Sequence, residues 1–208
     1  SYGIGQGGGA IQSIAIYTNT ARPDLLGKLV IGGAFNYHNG VALPQIARIN
    51  VDGTVDLGFN TGLGPNAPVT SVAVQGDGRV IAGGYFNSVN GVPRSSIARF
   101  NIDGSVDATF DPGFGGNNPV FAVALQPDGK AVVGGLFTVF NTTTRNFIAR
   151  LNTDGTVDAS FDPGTGANDA VRSVAVQADG RVVIAGDFTM VNGVARARLA
   201  RLNPNGSL

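Results

Sequence analysis

The chain has 208 residues with 14 basic and 14 acidic side chains, so its formal charge is zero and no general electrostatic attraction draws it to nucleic acid or an anionic membrane. It has no cysteine, which excludes disulfides, thiolate metal sites and a cysteine nucleophile without fixing the compartment. All the acids are Asp and 32 residues are Gly, and both types favour turns over helices, so the composition points to strands joined by tight turns. No run approaches the roughly 20 apolar residues of a membrane-spanning helix.

In chain order, the sequence repeats itself with a period of 51. Gly33, Gly84, Gly135 and Gly186 keep that spacing, and so do Asn50, Asn101, Asn152 and Asn203. The units run approximately over 3–59, 60–110, 111–161 and 162–208. The first departs once, where Tyr17–Lys28 stands in place of the short turn that Gln75–Arg79 makes in the second. Insertions in repeat proteins map to loops, so this is read as a loop extension, with a partner contact as the alternative.

The second unit shows the pattern most plainly. Strand a is Ser71–Gln75, Asp77-Gly78 turns it, and strand b is Arg79–Phe86. A longer loop carries Asn90-Gly91. Strand c is Ile97–Asn101, Asp103-Gly104 turns it, and strand d is Ser105–Phe110. The glycine-rich stretch Asp111–Pro119 leads to the third unit. Two hairpins per unit and no helical stretch give an all-β fold of four-stranded antiparallel sheets, which at this period stack as the blades of a β-propeller. A parallel β-helix would have a shorter period and fewer Asx-Gly hairpins.

The repeated motifs carry a family resemblance. SVAVQGDGRVIAGGYF at Ser71–Phe86 returns at Ala122–Phe137 and Ser173–Phe188, and IARFNIDGSVDATF at Ile97–Phe110 returns at Ile46–Phe59 and Ile148–Phe161. These units resemble the delta-60 repeat, a bacterial β-propeller repeat of large secreted or surface proteins. The resemblance implies a propeller, an extracellular or cell-surface setting and rings of more than four blades, and brings no catalytic residues with it.

The candidate chemistry is sparse. Asn-x-Asp-Gly-x-x-Asp recurs at Asn50–Asp56, Asn101–Asp107 and Asn152–Asp158. It is superficially like a calcium loop, but an EF-hand needs a bidentate Glu and the chain has none, so the motif reads as a hairpin turn. No cofactor is expected, and calcium is the one cation these turns bring into question. A three-residue c–d loop would face Arg48 with Asp56, Arg99 with Asp107 and Arg150 with Asp158, as structural ion pairs. Gly62-Leu63-Gly64, Gly113-Phe114-Gly115 and Gly164-Thr165-Gly166 lack the helix and lysine of a phosphate loop, and read as crossovers between blades.

His38 is the only histidine, and no nucleophile and base can be arranged around it. Nearly all the Asp residues recur with the repeat, whereas catalysis needs a unique constellation, so the chain is read as no enzyme. The b–c loops are the candidate binding face, with Tyr37, His38, Arg94, Phe140, Arg145 and Arg196, because loops on a rigid scaffold are where binding concentrates. The expected function is a non-catalytic binding or scaffold module of a larger secreted or surface protein. The alternative is a carbohydrate- or cation-binding, lectin-like propeller. The expected partner is a protein, a glycan, a further copy of the chain or the neighbouring blades of a longer one.

One expectation concerns closure. Tyr2 aligns with Phe59, Phe110 and Phe161, so the window cuts inside strand d. Either the N-terminal segment completes the last blade of a four-bladed ring, or the chain is a segment of a longer array. Arg201 meets no Asp eight positions on, which favours the segment.

Overall fold

A computed structural model describes residues 9–38 and 40–208, with only the backbone at His38. Tyr2, on which the closure expectation rests, lies outside the described residues. The chain divides into two compact units, Ser1–Ala108 and Thr109–Leu208, each holding two blades.

In the first unit the blades are Ile11–Ile16, Leu29–Gly33 and Ile46–Ile49, then Val69–Val74, Val80–Gly84 and Ile97–Phe100. In the second unit they are Val120–Leu125, Ala131–Gly135 and Ile148–Leu151, then Val171–Val176, Val182–Gly186 and Leu199–Leu202. Each blade is an antiparallel sheet of strands a, b and c with b in the middle. The Asp-Gly turns set the a–b register: Gln75 N–H donates to Arg79 O at 2.8 Å and Gly78 N–H to Gln75 O at 3.0 Å, which leaves Val74 opposite Val80.

Strand d is shorter than the sequence suggests. Instead of a regular strand over Ser105–Phe110 there is one bridge, Phe100 to Val106, repeated as Ile49 to Val55 and Leu151 to Val157. The side chains of Asp56 and Asp158 explain the break. Each turns back to accept the N–H two residues on, from Gly58 and Ser160, and so closes a local turn that competes with the ladder. The b–c loop, by contrast, has structure of its own: Ser88–Val89 pairs with Val92–Pro93, and the other blades repeat this ribbon.

Within each unit the two blades pack face to face and bury an apolar core between them. Val30, Ile46, Val69, Val80, Phe86 and Phe100 belong to the first, and Val132, Ile148, Val171, Ile184, Phe188 and Leu202 to the second. The approach is close enough to require glycine. A Cβ on Gly32 would lie 2.6 Å from Val69 Cγ1, and one on Gly134 would lie 2.6 Å from Val171 Cγ1.

The insertion of the first blade is a strap between blades rather than a free loop. Tyr17 and Leu25 are buried in the first core. Tyr17 Oη donates to Gly78 O at 3.2 Å, Arg22 Nη1 donates to Asp77 O at 3.2 Å, and Asn19 Nδ2 donates to Gly76 O. All three acceptors are backbone carbonyls of the second blade's a–b turn. Burial pushes the Tyr17 phenol pKa up, against the opposing pull of Arg48.

Candidate functional site

Two ends of each blade can be told apart by their chemistry. The end carrying the a–b and c–d turns is occupied by structural bonds. Asp52, Asp103 and Asp154 each use Oδ1 to accept both the N–H and the hydroxyl of the residue two positions on: Thr54, Ser105 and Thr156. These are Asx-turns in which the carboxylate is already satisfied locally. The c–d turn of each later blade also accepts a crossover N–H: Asn60 to Asp103 O, Asp111 to Asp154 O and Asp162 to Asn205 O, each at 2.7 Å.

The three Arg–Asp pairs lie at this end. Arg48 Nε meets Asp56 Oδ2, Arg99 Nε meets Asp107 Oδ2 and Arg150 Nε meets Asp158 Oδ2, each at 2.7 Å and each buried. A second cation reaches each carboxylate: Lys28 at 2.6 Å, Arg79 at 3.5 Å and Lys130 at 2.7 Å. Burial by itself would raise the pKa of Asp56. The bonds from Lys28, Arg48 and Gly58 outweigh it and hold the group at about 2. Asp158 is held well below the usual carboxylate range in the same way, by Lys130, Ser160 and Arg150 against its burial.

The arginines also join neighbouring blades. Arg48 Nη1 donates to Ile102 O and Arg150 Nη1 to Pro204 O, both at 2.7 Å, while the guanidinium groups lie 5.1 Å and 4.9 Å from the ring centres of Phe59 and Phe161. A cleft in the first unit, among Asp24, Lys28, Arg48, Asp56 and Arg79, is therefore lined largely by charges that already have partners. Among the described residues no group of three or more His, Cys, Asp or Glu is placed to hold a metal ion.

The opposite end is where the sequence varies within a fixed frame. Every strand a begins with a β-bulge, and the extra residue is Gln12, Thr70, Phe121 or Arg172. Four copies of one motif thus present four different side chains where a bulge re-aims the chain. In the second unit two of them meet. Arg172 lies 4.8 Å from the centre of the Phe121 ring, and its Nη2 is 2.7 Å from Asp187 Oδ2. The crossovers reach the same end. Gly62, Gly64, Gly113, Gly115, Gly164 and Gly166 all have φ between 61° and 69°, and between them Leu63 and Phe114 stand 81 % and 79 % exposed. Asn90 Oδ1 accepts from Gly64 N–H at 3.0 Å, and Asn141 and Asn192 do the same for Phe114 and Thr165, so the exposed tips rest on the b–c ribbons.

With that geometry in place, known proteins supply the family. Residues 27–59, 75–110, 126–161 and 177–208 match the family described as "Domain of unknown function (DUF5122) beta-propeller". The chain belongs to that family. No curated protein matches its sequence. Three solved structures resemble the DUF5122 chain in fold. A protein of unknown function from Bacteroides caccae has a TM-score of 0.55 at 14 % identity, over 98 % of this chain and 67 % of that one. The WD40 β-propeller domain of Doa1 has a TM-score of 0.55 at 17 % identity, over 84 % and 47 %. Virginiamycin B lyase from Staphylococcus aureus has a TM-score of 0.54 at 14 % identity, over 97 % and 58 %. At such identities the likeness shows the fold alone: the DUF5122 chain is an all-β propeller built of repeated antiparallel blades. It spans about half the length of the Doa1 domain and somewhat more than half that of the lyase. Among its described residues no helix is long and apolar enough to cross a membrane, which says nothing of a β-barrel.

The loop residues expected to form a binding face fare unevenly in the DUF5122 structure. Phe140 is a correction: it is fully buried, with its ring edge-on to Phe137 at 5.2 Å. The b–c ribbon alternates in and out, so its second residue turns into the blade, as do Val89 and Val191. Tyr37 is exposed, and the His38 backbone pairs with Val41 at the Phe140 position. Arg94 and Arg145 are half-buried and Arg196 is exposed, and each donates from Nη1 to the carbonyl of the residue before it. Leu63, Phe114, Phe121 and Arg172 were not among the expected residues. Their signal was a changed residue inside an otherwise constant frame.

Proposed function

We propose that this DUF5122 propeller is a non-catalytic binding and scaffold module whose contact surface is the end of each blade where strand a begins. The observation that carries this reading is the bulge residue. Its frame is kept in all four blades while its identity runs Gln12, Thr70, Phe121, Arg172. Side chains kept through the repeat make turns, ion pairs and core. Those that change are the ones left to meet a partner, and an aromatic ring beside an arginine is the composition of an interface centre. In this reading the module serves a larger secreted or surface protein, a setting that rests on the family resemblance.

The test is a broad panel of glycans and proteins, probed with the wild-type chain and with Phe121→Ala/Arg172→Ala, in the presence and absence of calcium. Capture that is lost in the double variant while its melting temperature stays within a few degrees of wild type supports the reading. Turnover of a polysaccharide, peptide or phosphoester by the purified chain overturns it. Protease shaving of intact source cells tests the surface setting.

A further inference from the structure

The b–c ribbons of the last three blades turn on an asparagine in the left-handed region: Asn90, Asn141 and Asn192 have φ of 53°, 51° and 49°. Each asparagine clamps a crossover tip. Its own N–H donates to the carbonyl of Gly64, Gly115 or Gly166, at 3.0, 2.6 and 2.7 Å. Its Oδ1 accepts the N–H of Gly64, Phe114 or Thr165, at 3.0, 3.3 and 3.2 Å. That oxygen is also where negative charge gathers when a nucleophile attacks the side-chain amide carbon, so each tip N–H stands where it stabilises such charge.

At two of the three turns the nucleophile is at hand. The backbone nitrogen after an asparagine can bond to its Cγ and close a cyclic imide, most readily when the next residue has no Cβ. Gly91 and Gly193 follow Asn90 and Asn192. Both are exposed, a Cβ on either would meet nothing within 4 Å, and among the described residues neither N–H donates a hydrogen bond. Thr142 follows Asn141 instead, and its branched Cβ crowds the ring closure. Asn205-Gly206, in the fourth blade's c–d turn, has the same dipeptide and an Oδ1 that accepts the Ser207 N–H at 3.1 Å. There the nucleophile is tied up: Gly206 is buried against the Asp162 backbone, and its N–H donates to Asn203 O at 2.9 Å. The first-blade counterpart, Asn39-Gly40, begins outside the described residues.

We propose that Asn90 and Asn192 are sites of self-modification, at which the turn converts its own asparagine into aspartate or isoaspartate. The Gly91 N–H gives its proton to hydroxide, and the nitrogen bonds to Asn90 Cγ. The Cγ–Nδ2 bond breaks, the side-chain nitrogen takes a proton from water and leaves as ammonia, and a succinimide remains. Water then opens the ring at either carbonyl carbon. Asn192 follows the same path through Gly193. Each event consumes one water, releases one ammonia and leaves a carboxylate. Aspartate keeps the clamp and adds a negative charge. Isoaspartate routes the chain through the side chain and lengthens the backbone by a methylene, so the tight turn loses its register and the tip its clamp. The chemistry stands apart from the binding reading, though what it alters is the same end of the blades.

Ageing the purified 208-residue chain at neutral and mildly alkaline pH, followed by peptide mapping with mass spectrometry, tests it. Asn90 and Asn192 are expected to gain the mass of an amide turned acid, faster at higher pH and about tenfold or more faster than Asn141 and Asn205. In the urea-unfolded chain Asn90, Asn192 and Asn205 are expected to convert at similar rates, which separates the fold from the dipeptide. Isoaspartate at position 90 is expected to speed amide hydrogen exchange at Gly64. Asn90 and Asn192 that remain amides, a folded-state rate at Asn205 equal to theirs, or exchange at Gly64 that isoaspartate leaves unchanged overturns the proposal.

Discussion

Replacing Asp56 by Asn leaves the shape and removes the charge, which isolates what the carboxylate contributes. In the folded chain its pKa is about 2, against 3.8 for a free carboxyl. At about 1.36 kcal/mol per pKa unit, the ionised form is favoured in the fold by about 2 kcal/mol. The side chain is only 12 % exposed, so solvent screening removes little of this. Because the folded pKa is depressed, the contribution is complete above about pH 4 and is lost as pH falls from about 4 to about 2. Asp56→Asn is therefore expected to be about 2 kcal/mol less stable at pH 7, or about 5 °C lower in melting temperature for a chain of this size. The gap narrows to a few tenths of a kcal/mol by about pH 2, where the wild-type group is itself half protonated. Urea unfolding of both proteins from pH 7 to pH 2, followed by circular dichroism, measures it. A gap that is the same at both ends of that range, or under about 0.5 kcal/mol at pH 7, would falsify the argument that the buried pair acts through its charge.

Other outcomes follow from the same geometry. Tyr17→Phe removes the bond to the Gly78 carbonyl and is expected to cost about 1 kcal/mol in urea unfolding, whereas an insertion that packed on nothing would show no change. Gly84→Ala would place a Cβ 2.2 Å from the Pro68 carbonyl oxygen, and is expected to destabilise by more than about 2 kcal/mol or to prevent soluble expression. Millimolar calcium is expected to leave the melting temperature unchanged, because the Asp52, Asp103 and Asp154 carboxylates already hold their own turns; a clear rise would restore the cation reading by linkage. Phe114→Ser is expected to change stability by less than about 0.5 kcal/mol, since the ring is 79 % exposed.

Much of this protein was legible in its sequence because the same problem is solved four times. The 51-residue period and the Asp-Gly turns determined the blades, and counting outward from Asp103-Gly104 placed Arg99 opposite Asp107. Those are local relations, set by chain geometry over a few residues. What lies between blades was not legible, because sequence spacing carries no information about which surfaces meet. Nothing local showed that Arg48 and Arg150 would also reach the next blade's carbonyl, that Tyr17–Lys28 would strap the first blade to the second, or that Phe140 would turn inward. The Asp56 and Asp158 carboxylates cut strand d short by taking the N–H groups a ladder would have used, a competition that only the folded geometry resolves. The candidate binding end followed the same division. Its glycines could be read as crossovers from their spacing alone, but that Leu63 and Phe114 stand exposed, and that Phe121 and Arg172 come together from the a strands of neighbouring blades, was decided by the bulges and by the packing of one blade on the next.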